Sequence, residues 1–517
     1  MPKSVYIAAA LCLYAIAGWV YFPSVEKQPY YFDEADYMWA GKQGFWANYW
    51  DPHGLTFADY VTKGLELVKD PSKRGSFSEY IRSSGDISMY RHYHGPIYAY
   101  WLALLQKLGV ERENVFRGSG LLINFAAATI VLLGFWRAFP SLPRGAGLAA
   151  CALFVFSRTI LVATTMISQH GIFTLMTVVT LFAASFFFKT LSERWFCVFA
   201  AALAIAICTV ETGVLLLAGF GLGMLVDWRR MKERWPTLRA FLALIGKGVL
   251  AFVAAVVVIW PKGAVQLGLA KGFMMLAYIS VYRKTFSPFG PLDLWKGKFS
   301  AAPWEFGLLF AGLIAAFFLW RRFTDKVALL PWMGFAIVFL AITLKVTAPY
   351  TYYYAPLVAA LVVITAASLG EFWLQWPKPW KLALPILTAA SLVGQTIQYS
   401  QVAREIHDQP TYSFAVMKVV RERAVAPGQR LYIPYQLIPV LHYYLPELRT
   451  VGYDLDYPVS DVAGGMTAPT SAGWAFCEES YCAALEGYRP GIMEEKLLLS
   501  PSGPSGQPIY VIRIRKS

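Results

Sequence analysis

Charge is scarce in this sequence of 517 residues: Lys, Arg, Asp and Glu together make 15%, whereas hydrophobic residues reach 57%. Soluble domains average about 25% charged and about 45 to 50% apolar, so composition alone excludes a water-soluble globular protein. Internal repeats are absent, and low-complexity sequence is confined to the Ser/Pro/Gly turn at Ser500 to Gln507. No phosphate-cradling loop follows a strand: Gly219, Gly221 and Gly223 lie inside an apolar run and read as close-packing glycines. Asp454 and Asp456 form an isolated Asp-x-Asp, a pattern far more often a turn than a site. Cysteine is sparse, and four of the six, Cys12, Cys151, Cys197 and Cys208, sit in apolar blocks as small membrane-buried residues.

What is present is a series of apolar blocks of roughly 17 to 22 residues, the length a helix needs to cross a hydrocarbon core at 1.5 Å per residue. The sequence therefore predicts an all-α polytopic membrane protein with about eleven transmembrane helices. They fall at 4–22, 117–136, 145–160, 170–188, 195–209, 212–227, 240–260, 304–320, 328–345, 351–369 and 380–398. The first block follows Lys3 like a secretory signal, but no small-residue cleavage site comes after it, so it reads as an uncleaved helix. A net charge of +14 does not imply nucleic acid, because Lys and Arg cluster in short connections instead of along one stripe. With the N-terminus inside, Arg137/Arg144, Lys189/Arg194, Arg229 to Arg239, Arg321/Arg322/Lys326 and Lys378/Lys381 all fall on the cytoplasmic side, as the positive-inside rule requires.

That parity puts residues 23–116, 261–303 and 400–517 outside. Ile97 to Leu108 must then lie at the interface, as Tyr98, Tyr100 and Trp101 suit, since counting it as a span would reverse every later loop. Two parts follow: a transmembrane part, 1–399, whose first outer loop is 23–116, and a small extracytoplasmic α/β domain, 400–517. Within the latter, 411–425 has helical character, and Arg430 to Tyr435, Trp474 to Cys477 and Ile509 to Ile514 resemble strands. Cys477 and Cys482, close together in an oxidising compartment, are expected to form a disulfide.

The candidate chemistry gathers at the outer face. Asp33, Glu34 and Asp36 stand among Tyr30, Tyr31, Phe32 and Tyr37 just beyond the first helix. Asp33 is expected to cap a helix beginning at Glu34; a carboxylate held there beside aromatics is also placed as a general base. Arg91, His92 and His94 close the same loop, where a metal or phosphate could be gripped, although two histidines alone make a weak metal signal. Gln169-His170 and Glu211 are polar insertions at outer helix ends; a charge in so short a turn should face a cavity or the surface. Lys262, Lys271, Arg283, Lys284 and Lys345 are cations on the outer side, with the hydroxyls of Tyr350 and Tyr353 in the Tyr-rich run ending at Pro356, and they hint at an anionic ligand.

These residues resemble the GT-C membrane glycosyltransferases, in the branch of the lipid A aminoarabinose transferase and relatives of the protein O-mannosyltransferases. The resemblance rests on Asp33-Glu34 after the first helix, on Gly95-Pro96-Ile97-Tyr98-Ala99-Tyr100-Trp101, on the Tyr-rich run, and on the tail around Pro427 to Tyr444. It implies an inverting transfer of sugar from a polyprenyl monophosphate to an acceptor, with Asp33 as the catalytic carboxylate assisted by Glu34. His92, His94, Lys262, Arg283 and Lys345 are candidates to hold the donor phosphate. Departures from the family are His94-Gly95 where relatives often carry Lys before the Pro, and Gln169-His170 where some place a second acid. The expected partners are a polyprenyl-phosphate-linked sugar, membrane lipid and a cell-envelope glycan, lipid or protein acceptor, with no nucleic acid. No cofactor is required by the sequence, and a divalent metal stays open. The expected location is the plasma (inner) membrane, with the site facing out. A transporter or flippase of a lipid-linked sugar is the rival reading, and it would favour inverted repeats and charges within spans, whereas the polar residues here concentrate at one face.

Overall fold

A computed structural model describes residues 3–25, 30, 32–50, 57–69, 94–274, 290–345, 350–375, 377, 388–390, 392–397, 399–400, 417–418, 430–434, 438–445, 449–453, 473–488, 490–491, 493–500 and 508–514. Arg91, His92, Arg283, Lys284, Asp454, Asp456, most of 411–425 and about half of the expected span 380–398 lie outside the described residues.

Every expected span up to 351–369 has a helix over it. In chain order the helices begin with α1 (Lys3–Tyr21), α2 (Phe32–Lys42), α3 (Gly44–Tyr49), α4 (Phe57–Lys69), α5 (Ile97–Lys107), α6 (Glu113–Ala138), α7 (Arg144–Val155), α8 (Arg158–Thr165), α9 (His170–Thr190) and α10 (Glu193–Thr209). They continue with α11 (Val214–Val226), α12 (Trp228–Arg234), α13 (Leu238–Ile259), α14 (Pro261–Val265), α15 (Pro291–Ala301), α16 (Pro303–Leu319), α17 (Lys326–Thr343) and α18 (Ala355–Gln375). Among the described residues six helical stretches are long and apolar enough to cross a membrane, or up to nine if each bent pair makes one span. The chain is a multi-pass membrane protein. α10 misses that test narrowly, since its 17 residues rise only about 26 Å. α5, with 11 residues, is far too short to span.

One expected span is not a single rod. The stretch 145–160 breaks at Phe156–Ser157, and α7 and α8 meet at 54°. The cause is local: Ser157 is extended and its hydroxyl accepts the Ile160 N–H, starting a new helix. A sharper bend, 111°, separates α15 from α16, so the two cannot both follow the membrane normal, and α15 lies outside the 304–320 span.

Apolar helices here differ in what covers them. α18 is buried continuously from Ala355 to Ser368, at the centre of the bundle between α16, α17 and α7. α13 is as apolar, yet only 17% of its spanning window is buried, so most of its surface is left uncovered by the described residues. Gly219 of α11 explains one tight crossing: a Cβ there would lie 2.6 Å from the Phe335 backbone of α17.

After residue 400 the chain builds a five-stranded mixed sheet of order β2-β1-β3-β5-β4. β1 (Arg430–Pro434), helix α19 (Ile438–Tyr444) and β2 (Arg449–Tyr453) form a parallel crossover, and β1 also pairs in parallel with β3 (Gly473–Glu478). Helix α20 (Glu479–Tyr488) follows β3, and β5 (Ile509–Ile514) then lies antiparallel between β3 and β4 (Met493–Ser500). Cys477 of β3 is bonded to Cys482 of α20, with Cα atoms 5.6 Å apart. Val440, Leu441 and Val511 share one apolar cluster with Tyr30, Ala35, Met38, Tyr98 and Leu102, so this region rests on α2 and α5.

Candidate active site

The helix carrying the acidic motif starts two residues earlier than the sequence suggests. α2 begins at Phe32, so Asp33 and Glu34 both lie in its first turn and Asp33 is not the cap residue. The correction is of register: the positive end of the helix still faces both carboxylates. Consecutive helical residues point about 100° apart, and here that separates their surroundings.

Glu34 is fully buried. Arg117 of α6 grips it in a bidentate pair, Nε donating to Oε1 at 3.0 Å and Nη2 to Oε2, and the Ile167 backbone N–H also donates to Oε1 at 3.1 Å. Arg117 in turn sits 5.6 Å from the ring centre of Tyr30. Tyr98 of α5 lies over this pair, and burial together with the Glu34 carboxylate holds its phenol well above the usual range.

Asp33 is exposed. Its charge lies within electrostatic reach of the buried Tyr352 hydroxyl, on a 3₁₀ turn over Thr351–Tyr354. Opposite stands His170, the first residue of α9, its ring centre 4.6 Å from Tyr352 and 4.9 Å from Tyr353. Tyr350, half exposed, stacks on Tyr352 at 5.2 Å. Thus the rings of His170, Tyr350, Tyr352 and Tyr353 pack together, and the exposed Asp33 carboxylate lies within electrostatic reach of this cluster through Tyr352. Gln169 is buried beside it, and its Oε1 has no hydrogen-bond partner among the described residues.

A second pair lies in the same layer. His94 Nδ1 contacts both carboxylate oxygens of Glu211, at 2.9 and 3.0 Å. Glu211 is buried against α10, so it does not lie at the open surface, and its carboxylate meets the His94 imidazole. Gly95 makes this possible: a Cβ there would stand 1.7 Å from the Cys208 carbonyl oxygen, so only glycine lets the His94 backbone come so close. Lys262 is buried after the end of α13, whereas Lys345 is exposed beyond α17. Among the described residues no three His, Cys, Asp or Glu side chains converge as a metal site requires.

The structure adds residues that the sequence reading passed over. Arg117 opens the second apolar block, and Glu305 stands at the start of another. Glu305 is buried, accepting from Ser157 Oγ, from Thr159 N–H at 3.3 Å and from Thr159 Oγ1 at 3.1 Å. A charge at the edge of an apolar run was the available signal for both.

No protein-family model and no curated protein matches the sequence. Solved structures do match in fold. ArnT from Cupriavidus metallidurans in the apo state is similar over 99% of this chain and 97% of its own, with 14% identity and a TM-score of 0.54. The same protein bound to undecaprenyl phosphate gives a TM-score of 0.52. AglB, the archaeal oligosaccharyltransferase from Archaeoglobus fulgidus, in complex with an inhibitory peptide and a dolichol-phosphate, is similar over 98% of this chain and 74% of its own, with 11% identity and a TM-score of 0.54. The chain therefore shares the fold of these proteins over nearly its whole length.

Proposed function

We propose that this protein is an inverting glycosyltransferase that moves a sugar from a polyprenyl-monophosphate carrier to an acceptor on the outer face of the plasma membrane. The observation that carries the reading is the contrast within α2: Glu34 is locked by Arg117, while Asp33 stays open to the aromatic cluster of His170, Tyr350, Tyr352 and Tyr353. An accessible carboxylate beside ring faces suits a general base next to a bound sugar. In the reaction, the acceptor hydroxyl or amine attacks the anomeric carbon and gives its proton to Asp33. The bond from that carbon to the donor phosphate breaks, and its electron pair leaves with the phosphate. Glu34 acts through position, anchoring the first turn of α2. Lys262 and Lys345 supply positive charge for the donor phosphate, and His94, held by Glu211, offers its imidazole as a hydrogen-bonding group.

The polyprenyl class of donor is favoured by the similar folds of ArnT bound to undecaprenyl phosphate and AglB in complex with a dolichol-phosphate. Nucleotide sugars are confined to the cytoplasm, so an outward site needs a donor that the membrane can hold. Outward orientation is supported by the alternation of basic clusters and by the Cys477–Cys482 bond, which belongs to an oxidising compartment. Lipid analysis of a strain lacking the gene, combined with transfer assays on the purified protein, tests the reading. Accumulation of a polyprenyl-phosphate sugar that the purified protein then consumes, with release of polyprenyl phosphate, is the expected result. A purified protein that moves the lipid across vesicles but never cleaves it would make it a flippase.

A further inference from the structure

The ring cluster stands at the start of α9, and the opposite end of that helix meets a surface that the transfer reaction does not use. Arg230 Nη1 donates to the Phe188 carbonyl at 3.2 Å, in the last turn of α9. α12, which carries Arg230, turns by 81° from α11 and so runs along the membrane face that α11 leaves and α13 re-enters. Its inner side is fixed. Met231 and Trp235, four residues apart, are buried in the main apolar core, and Trp235 stacks on Phe187 of α9 at 6.0 Å.

The acids near α12 are mostly engaged. Asp227 accepts from Arg230 at 2.9 Å, and Glu193 of α10 is paired with Lys247 of α13 and lies within electrostatic reach of Arg234. Over 227–239 that leaves Arg229, Lys232 and Arg239, all exposed, against one exposed carboxylate, Glu233. At about 100° per residue, Trp228 and Lys232 share one flank of α12 with Arg229 beside them, Arg234 falls on the other flank, and Glu233 points away from Met231 and the bundle. Trp228 is half exposed and meets Phe241 of α13 edge-on at 6.0 Å. Around it Leu225, Val226, Leu238 and Leu242 are exposed by 71%, 61%, 74% and 57%.

Bare aliphatic side chains beside a tryptophan, with cations along the same edge, are the makeup of a helix lying in the membrane interface. Acyl chains cover the aliphatic groups, and the long Lys and Arg stems carry their charges to the depth of the headgroup phosphates. A nucleic acid or an acidic protein would meet the cations and leave that apolar rim uncovered. We propose that Trp228, Arg229, Lys232 and Arg239 form a binding surface for the headgroup of an anionic phospholipid, of the phosphatidylglycerol class, at this end of the bundle. The surface is prebuilt, because Met231, Trp235 and Arg230 hold α12 against α9 before any lipid arrives. The inference is independent of the transferase reading, since a flippase with this fold would carry the same surface.

The test uses the full-length protein in phosphatidylcholine nanodiscs containing a small, equal fraction of brominated phosphatidylglycerol or brominated phosphatidylcholine. The chain has 18 tryptophans, so quenching at position 228 is read as the difference between the parent and Trp228→Phe. One basic residue at such a surface favours an anionic lipid by about fivefold, so quenching at 228 should be at least about threefold stronger with the phosphatidylglycerol. Arg229→Gln, Lys232→Gln and Arg239→Gln combined should bring the two lipids to within about twofold, whereas Arg234→Gln should keep the preference. Raising salt from about 0.1 M to about 1 M shortens the screening length from about 10 Å to about 3 Å and should erase the preference in the parent, a test that needs no folded variant. Equal quenching by both lipids in the parent would overturn the assignment, as would a preference that survives the combined substitution or high salt. Loss of the preference in Arg234→Gln would refute the choice of flank. Quenching at 228 by neither lipid would show that Trp228 does not meet the bilayer, and the proposal would fall.

Discussion

Asp33 and Glu34 are consecutive residues of one helix, with the same charge and the same helix dipole, and they occupy opposite regions of the site. The region around Glu34 is closed: Arg117, the Ile167 N–H and Tyr98 surround a carboxylate that water does not reach. The region around Asp33 is open: its side chain is exposed, and its charge reaches the Tyr352 hydroxyl in the ring cluster of His170, Tyr350 and Tyr353. The closed region holds helices α2, α6 and the 166–169 turn in place, which an open carboxylate cannot do. The open region can accept a substrate and a proton, which a clamped carboxylate cannot do.

If that division is right, the closed region should be felt as stability. Glu34→Ala removes the carboxylate that pairs with the buried Arg117 guanidinium, and breaking a buried pair costs about 3 to 5 kcal/mol. Thermal unfolding in detergent should show a large drop in the transition, and an unchanged melt would erase the distinction between the two carboxylates. A somewhat smaller effect is expected at the second closed pair. Gly95→Ala drives a Cβ into the Cys208 carbonyl and should cost about 1 to 3 kcal/mol while separating His94 from Glu211. Parental stability and activity in that variant would show that the His94–Glu211 contact places nothing.

The smallest effect lies at the contact with the sheet region. Tyr444 OH donates to Glu113 Oε1 at 2.8 Å and accepts the Tyr30 N–H at 3.0 Å, two residues before the α2 helix begins. Tyr444→Phe should cost about 0.5 to 1.5 kcal/mol and lower activity mildly, through a looser α2. A loss of activity as large as that from changing Asp33 would instead bring the sheet region into the site itself.

Much of this arrangement can be read in the sequence, for definite reasons. Apolar blocks and alternating basic clusters report helix positions because the hydrocarbon core imposes a length on each. The strands at Arg430, Trp474 and Ile509 carry enough β-branched and aromatic residues to stand out, whereas Met493–Ser500 contains Glu494, Glu495 and Lys496 and does not. Asp33 stands out by its position after the first helix. Its fate relative to Glu34 does not, because the partner that decides it, Arg117, is 83 residues further along the chain and is fixed only by packing. The contact of Arg158 with the Ala301 carbonyl is hidden for the same reason, since it depends on how α15 turns back at 111°.

The central claim, that the open carboxylate is the base, is tested most directly by the turnover of purified Asp33→Asn, with donor-lipid binding and thermal unfolding measured on the same sample. Asn keeps the shape of an exposed first-turn residue, and losing its charge at the helix start costs at most about 1 kcal/mol, so folding and donor binding should persist. Transfer should fall by about 10² to 10⁴, the usual contribution of a general base. Transfer at the parental rate by folded, donor-binding Asp33→Asn protein would contradict the assignment.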